Sequence, residues 1–371
     1  MLDKKAVVIS AINFFEGGPL SVFKDCLHSI QNNNDLIDYE FIALVHKVDL
    51  FAINEFSNIK FIEFPKSRKS YFYRIYYEYF YFKKFAKNNN ISFWLSLHDM
   101  TPNLKGVQQA VYCHNPAPFN TLNFKDIYIQ PTQFFFRLFY KFLYQINIKR
   151  NKYVIVQQLW MKNKFVEMFN LEKNHVMIAP PQIPQIPVNY LNKKDTNTYK
   201  TFFFPTFPRP FKNIEVICEA VQLIALQNLD FKVLITIDGS ENKYAKAIFE
   251  KYNNCSNIDF IGLINREKVY EYYSIVNALI FPSKLETWGL PISEFKQFNK
   301  PMFVADLPYA KETVSKFDYV NFFEPKDAKK LAELMINFIN DEIKYDQTYL
   351  VKYEEPYAES WNELFQIILK S

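Results

Sequence analysis

Two rhythms of apolar residues alternate along this chain. Unbroken runs such as AVVISAI (6–12), FIALVH (41–46), IKFIEF (59–64), FWLSLHD (93–99), QAVYCHN (109–115) and YVIVQQ (153–158) suit strands buried on both faces. Between the first two, a Gly-Gly turn leads into PLSVFKDCLHSIQ, whose apolar positions recur at helical spacing. A second series starts near residue 200. TFFFPT, FKVLITID, IDFIG, ALIFPS, PMFVAD and VNFFEP read as strands, separated by helical segments at 214–227, 244–252, 266–275 and after Gly289. Strands spaced by helices predict parallel sheets wound on both faces, hence an α/β chain with two Rossmann-like domains.

The segment 178–189, IAPPQIPQIPVN, holds four prolines in twelve residues and suits a stiff connector. Domains are therefore expected over 1–185 and 190–355, with a C-terminal helix at 356–371 returning to the first, and with the carboxyl ends of both sheets facing a central cleft where ligands collect. At 371 residues and 49% hydrophobic composition the chain has enough apolar surface for two cores. Charge is uneven: residues 1–190 carry 22 Lys and Arg against 14 Asp and Glu, a net +8, whereas residues 191–371 carry 22 against 25. An anionic partner for the first half and a merely solvated lysine face both fit that split. Cys26, Cys113, Cys218 and Cys255 form no C-x-x-C pair, so neither a zinc site nor a disulfide framework is indicated, and a reducing cytoplasm is expected. The sequence shows no signal peptide and no spanning segment.

The most informative stretch is FPSKLETWGLPISE (281–294), a strand exit with Glu286 and Glu294 on either side of Gly289 and Pro291. Gly289 lets the backbone approach a ligand, and Pro291 suits the first helical turn. Glu286 then belongs to the loop and Glu294 to the helix, whose N-terminus favours phosphate. A carboxylate beside it suits ribose hydroxyls, although either Glu also reads as an ordinary helix-start residue. Upstream, FPRPFKN (207–213) brings Arg209 and Lys212 to another strand exit. Gly17 and Gly18 sit at the first strand-to-helix turn; as the pattern is not G-x-G-x-x-G, a dehydrogenase is disfavoured. No cluster of Asp and His has metal-ligand spacing.

These motifs resemble the retaining nucleotide-sugar-dependent glycosyltransferases of family 4, which have the GT-B fold. Besides the Glu286 to Glu294 spacing, IDFIGLINREKVYEYYSIVNALIFPS before it and PMFVADLPYAKETV and VNFFEPKD after it follow the family's order. The likeness is strong over residues 200–340 and looser in the first half. It implies that Glu294, with Gly289 and Leu290, holds the nucleotide, that Glu286 lies against the donor sugar, and that Lys212, and less securely Arg209, grip the diphosphate. It further implies that Gly17 and Gly18 face the donor phosphates, that His114 orients the sugar, and that Gly262 and Leu263 form the nucleobase loop. The reaction implied is metal-free, needs no cofactor and retains anomeric configuration by front-face attack.

For the acceptor, two basic and aromatic stretches stand out. PKSRKSYFYRIYYEYFYFKKFAK (65–87) contains Arg68, Lys69, Arg74, Lys83 and Lys84, and QFFFRLFYKFLYQINIKRNK (133–152) repeats the character. Such stretches suit peripheral contact with an anionic membrane, or core helices whose lysines reach out to water. His98 and Asp99 line the acceptor site or serve a structural role. The expectation is a glycosyltransferase that extends a glycan or lipid-linked saccharide in cell-surface polysaccharide, lipopolysaccharide or O-antigen synthesis, at the inner face of the cytoplasmic membrane. A nucleotide-sugar epimerase and a non-catalytic glycan-binding protein of the same fold are the alternatives. No nucleic-acid-binding module accompanies the charge.

Overall fold

A computed structural model of the chain describes residues 4–119, 139–191, 198–225, 227 and 229–370. Part of the second basic stretch, residues 133–138, lies outside them. The chain forms two α/β units, Met1–Gln182 with Tyr353–Ser371, and Ile183–Lys352.

The first unit is built on seven strands: β1 (Lys5–Ala11), β2 (Tyr39–Val45), β3 (Ile59–Glu63), β4 (Ile91–Ser96), β5 (Gln108–Cys113), β6 (Tyr153–Val156) and β7 (Val176–Ile178). Their order is β3-β2-β1-β4-β5-β6-β7, and every pairing is parallel. From β1 the chain winds outward to β3, then returns to lay β4 on the other side of β1. That reversal splays the loops leaving β1 and β4 and opens a crevice at their carboxyl ends. β7 ends at the first residue of the segment that reads as a connector. It is three residues long, and Ile178 accepts from the Ala358 amide at 2.9 Å while donating to Pro356 at 3.1 Å. The returning segment thus docks beside it, and the helix Trp361–Lys370 buries Trp361, Leu364, Phe365 and Ile368 against Phe41 and the first unit's core.

The helix Gly17–Gln31 starts at the glycines themselves. Gly17 has φ of 70°, and Val22, Phe23, Cys26, Leu27 and Ile30 form its buried stripe. The aromatic stretch at 71–88 is helical over Tyr71–Tyr76 and Phe82–Asn88, with a π segment at Tyr77–Tyr81 between them. Phe82 packs on Trp94 at 4.9 Å, whereas Tyr71, Phe72, Tyr76 and Phe80 are exposed. Glu78, in the π turn, is fully buried.

The second unit has six strands: β8 (Lys200–Phe204), β9 (Phe231–Ile235), β10 (Ile258–Phe260), β11 (Ala278–Phe281), β12 (Met302–Ala305) and β13 (Val320–Phe323). The order is β10-β9-β8-β11-β12-β13, again all parallel. Here the reversal lies between β8 and β11, so their exit loops are neighbours. The helix Ile214–Ala225 buries Ile214, Ile217, Cys218, Val221 and Ile224 at helical spacing. Asn242, Asn265 and Asp327 each cap a following helix by accepting from backbone amides. No helix among the described residues is long and apolar enough to cross a membrane.

Burial drives the Glu78 carboxyl up to about 8, with Arg74 opposing the shift. A carboxyl raised in the fold stabilises fully below its unfolded value and loses that contribution as pH rises through the folded one. Glu78→Gln should therefore raise the melting temperature more as pH increases from 5 to 8.5, the underlying slope reaching about 1.4 kcal/mol per pH unit. Thermal melts across that range check it; a constant offset at every pH would contradict it.

Candidate active site

The β8 exit loop and the β11 exit loop are locked together before any side-chain chemistry begins. The Lys284 amide donates to Phe211 O at 2.7 Å. Asn213, at φ of 61°, sends its amide nitrogen to Pro282 O (3.1 Å) and Pro325 O (2.7 Å), joining the exits of β8, β11 and β13. Tyr309 Oη donates to Ser283 O at 2.6 Å, and Thr313 Oγ1 donates to Trp288 O. A site carried on loops tied in this way is preorganised.

Within this frame Lys212 closes the short turn Pro210–Lys212, and its Nζ meets Glu286 Oε1 at 2.5 Å. The lysine and glutamate side chains are only 18% and 15% exposed, and the ammonium lies 5.7 Å from the Phe211 and Phe281 rings. A mostly buried ammonium beside a mostly buried carboxylate at the sheet's carboxyl edge places opposite charges where each can act on a ligand through a lowered dielectric. Arg209 stands apart from the pair. It precedes the same turn, its guanidinium lies 5.4 Å from the Phe207 ring, and among the described residues no carboxylate pairs with it.

Gly289 turns the chain into the helix Leu290–Lys296 with φ of 85°; a Cβ there would sit 3.3 Å from Ile292 Cδ1. Glu294 is buried in that helix, where Arg266 Nη2 donates to its Oε1 at 2.6 Å and Tyr273 Oη reaches Oε2 at 3.5 Å. Burial raises the carboxyl above its ordinary range, and Arg266 opposes the shift. Arg266 begins the helix Arg266–Ile275, just past the Gly262–Leu263 turn. Gly262 has φ of 71° and donates its amide to Ile237 O at 3.1 Å, while Leu263 is exposed. The Glu294–Arg266 bond thus joins the β11 exit helix to the β10 exit. Sequence reasoning missed Arg266 and the tie made by Asn213. The Asn265 cap could have marked Arg266 as a helix start, but nothing local marks its partner.

In the first unit, Gly17 and Gly18 have open space where a Cβ would project. His114 is half-buried just past β5, where its Nε2–H donates to Leu97 O at 2.5 Å and its ring lies against Phe14 and Tyr112. That bond leaves Nδ1 as an acceptor, and burial lowers the imidazole's pKa while Asp99 opposes the shift, so the neutral form prevails. Asp99, at φ of 71°, accepts from the His114 and Asn115 amides and from the Tyr140 and Tyr144 hydroxyls. Its carboxylate is thereby committed to holding the β4, β5 and 139–145 segments together. His98 is also internal: Nε2 lies 3.0 Å from Ser10 Oγ and 3.2 Å from Glu78 Oε1, and burial holds its pKa well below the usual value. Arg74 is 6% exposed and donates to His98 O at 2.8 Å. Both His98 and Arg74 are thus held inside the unit, with Arg74 also lining a cavity at the exits of β1 and β3. Arg68, Lys69, Lys83 and Lys84 are exposed.

Two parallel-sheet α/β units, each with a strand-order reversal, form the GT-B fold that solved glycosyltransferases share. Residues 191–353 match the family model described as glycosyl transferases group 1. It is 23% identical over 276 residues to the O-antigen chain mannosyltransferase RfbU of Salmonella typhimurium, covering 71% of this chain and 74% of that protein. The lipopolysaccharide outer core galactosyltransferase WaaB, in its apo form, superposes with a TM-score of 0.64 at 13% identity over 92% of both chains. HepE of Anabaena in complex with UDP-glucose gives 0.60 at 12% identity, over 91% of this chain and 90% of that one.

Asn213→Ala should lower the unfolding free energy by about 1–3 kcal/mol, since it strips two carbonyls of a donor and keeps a Cβ at positive φ. Asn213→Gly relieves only the backbone part. Urea denaturation checks both, and an unchanged midpoint for Asn213→Ala would show that the tie is not structural.

Proposed function

We propose that the protein is a retaining, metal-independent glycosyltransferase. It moves a sugar from a nucleoside diphosphate donor to a hydroxyl of a glycan or lipid-linked saccharide during assembly of a cell-surface polysaccharide. The observation that carries this reading is the Lys212–Glu286 pair at the β8/β11 reversal, within the segment that matches the group 1 family. The printed functions of RfbU and WaaB, an O-antigen chain mannosyltransferase and a lipopolysaccharide outer core galactosyltransferase, support the class of acceptor, and the UDP-glucose bound to HepE supports the class of donor.

In this mechanism Lys212 turns to the β-phosphate as the sugar–oxygen bond breaks, taking the place of a divalent ion, and Arg209 adds a second cation from the same loop. Glu286 stays against the sugar and stabilises positive charge at its anomeric carbon. The acceptor oxygen attacks from the face the diphosphate leaves, and a departing phosphate oxygen takes its proton, so the protein supplies no nucleophile. Glu294 holds the ribose hydroxyls, oriented by Arg266 and Tyr273. The exposed aromatics of 71–81, with Lys83 and Lys84, suit a peripheral position on an anionic leaflet.

Thermal shift against UDP-, GDP-, dTDP- and CMP-sugars identifies the donor, because a ligand that binds only the folded state raises the melting temperature. With that donor, Glu286→Gln should lower kcat by about 10²-fold or more and leave donor affinity nearly unchanged. Glu294→Gln should raise the donor KM about tenfold, with little change in kcat, through loss of a charge-assisted bond. Turnover should survive EDTA. Equal effects of the two variants on kcat would overturn the division of roles, and loss of turnover in EDTA would overturn the metal-independent step.

A further inference from the structure

A cavity of about 340 Å³ opens in the first unit, at the exits of β1 and β3. Asn13 and Phe15 come from the β1 exit; Ser67, Arg68, Lys69, Ser70, Tyr71 and Arg74 come from the turn after β3 and the helix that follows. Three of the lining side chains are cationic and none is acidic. The Arg68 guanidinium lies over the Phe15 ring, 3.1 Å from its centroid. Among the described residues, no carboxylate lies within ion-pair distance of Arg68, Lys69 or Arg74. Arg74 is nine-tenths buried, and its Nε has no partner. Glu78, the acidic group facing Arg74, holds its proton up to about pH 8 and neutralises the guanidinium only weakly below that. Ser70 Oγ accepts from the Tyr73 amide, so its hydrogen is free to donate. Positive charge and the Ser70 hydroxyl therefore converge on one open cavity.

We propose that this cavity binds a phosphoryl group of the acceptor. A phosphate has enough oxygens and charge to engage Arg68, Lys69 and the Ser70 hydroxyl together, and the planar guanidinium of Arg68 suits two of its oxygens at once. Tyr71, at the rim, is the first of the exposed aromatics that continue along the helix, so a lipid attached to the phosphate has an apolar path away from the cavity. The acceptor is then a saccharide on a lipid phosphate or diphosphate rather than a neutral glycan. This assignment rests on the glycosyltransferase reading for the word acceptor, but the anion site does not.

The test is flotation of the full chain with phosphatidylcholine vesicles carrying polyprenyl diphosphate, the matching unphosphorylated polyprenol, or phosphatidylglycerol at equal surface charge. Binding to polyprenyl diphosphate vesicles should exceed binding to either of the others by about tenfold or more, the scale of losing charge-assisted hydrogen bonds. Soluble pyrophosphate should compete. The double variant Arg68→Gln with Lys69→Gln, both exposed and expected to leave the melting temperature unchanged, should abolish the preference. Equal binding to phosphatidylglycerol and diphosphate vesicles would reduce the patch to general surface charge and overturn the proposal, as would an unaltered preference in the double variant. Competition by pyrophosphate without any preference among vesicles would keep the anion site and remove the lipid. Donor thermal shift on the same preparation separates the two readings, because failure there leaves the vesicle result standing.

Discussion

Lys212 and Glu286 lie 74 residues apart in sequence and 2.5 Å apart in space. They meet because β8 and β11 are neighbours where the strand order reverses, and the loops leaving those strands have nowhere else to go. The adjacency does more than pair two charges. It gives Asn213 carbonyls to bridge, gives the Lys284 amide its acceptor at Phe211, and lets Tyr309 and Thr313 pin the segment that carries Glu286. Mostly withdrawn from water, the ammonium and carboxylate act on each other and on a ligand through a lower dielectric than at the surface, where such a pair is worth little.

The fold was legible because strands covered on both faces must be apolar throughout, and runs such as ALIF and FIALV declare themselves. The exits of those strands, and with them Lys212 and Glu286, followed from Pro, Gly and Ser punctuation. Pairing was not legible. Glu294 reads as a helix-start carboxylate, yet its environment is set by Arg266, which arrives from another strand exit by tertiary packing alone. Asp99 carries the same letter as an exposed carboxylate and is saturated by amides and phenols. β7 is too short to show a period and runs straight into the proline-rich segment.

Residues 65–87 show how composition misleads when one helix has two faces. Basic and aromatic residues there suit an interface, and Phe72 and Phe80 are exposed accordingly. Arg74 and Glu78, four residues apart on the opposite face, nevertheless turn inward to His98. Buried groups of opposite tendency result: a carboxyl that keeps its proton and an imidazole that gives it up. This polar core stands directly behind the cationic cavity and leaves Arg74 with an unpaired nitrogen next to it.

Recognition of a diphosphate by Lys212 is the central test. Calorimetric titration of the full chain with UDP and uridine, and with GDP and guanosine, measures that directly for the wild type and Lys212→Met. One diphosphate should bind the wild type at least about tenfold more tightly than its nucleoside, and the variant should lose most of that margin, as expected when a partly buried charge-assisted contact is removed. An undiminished margin in the variant, or no margin for either base in the wild type, would contradict it.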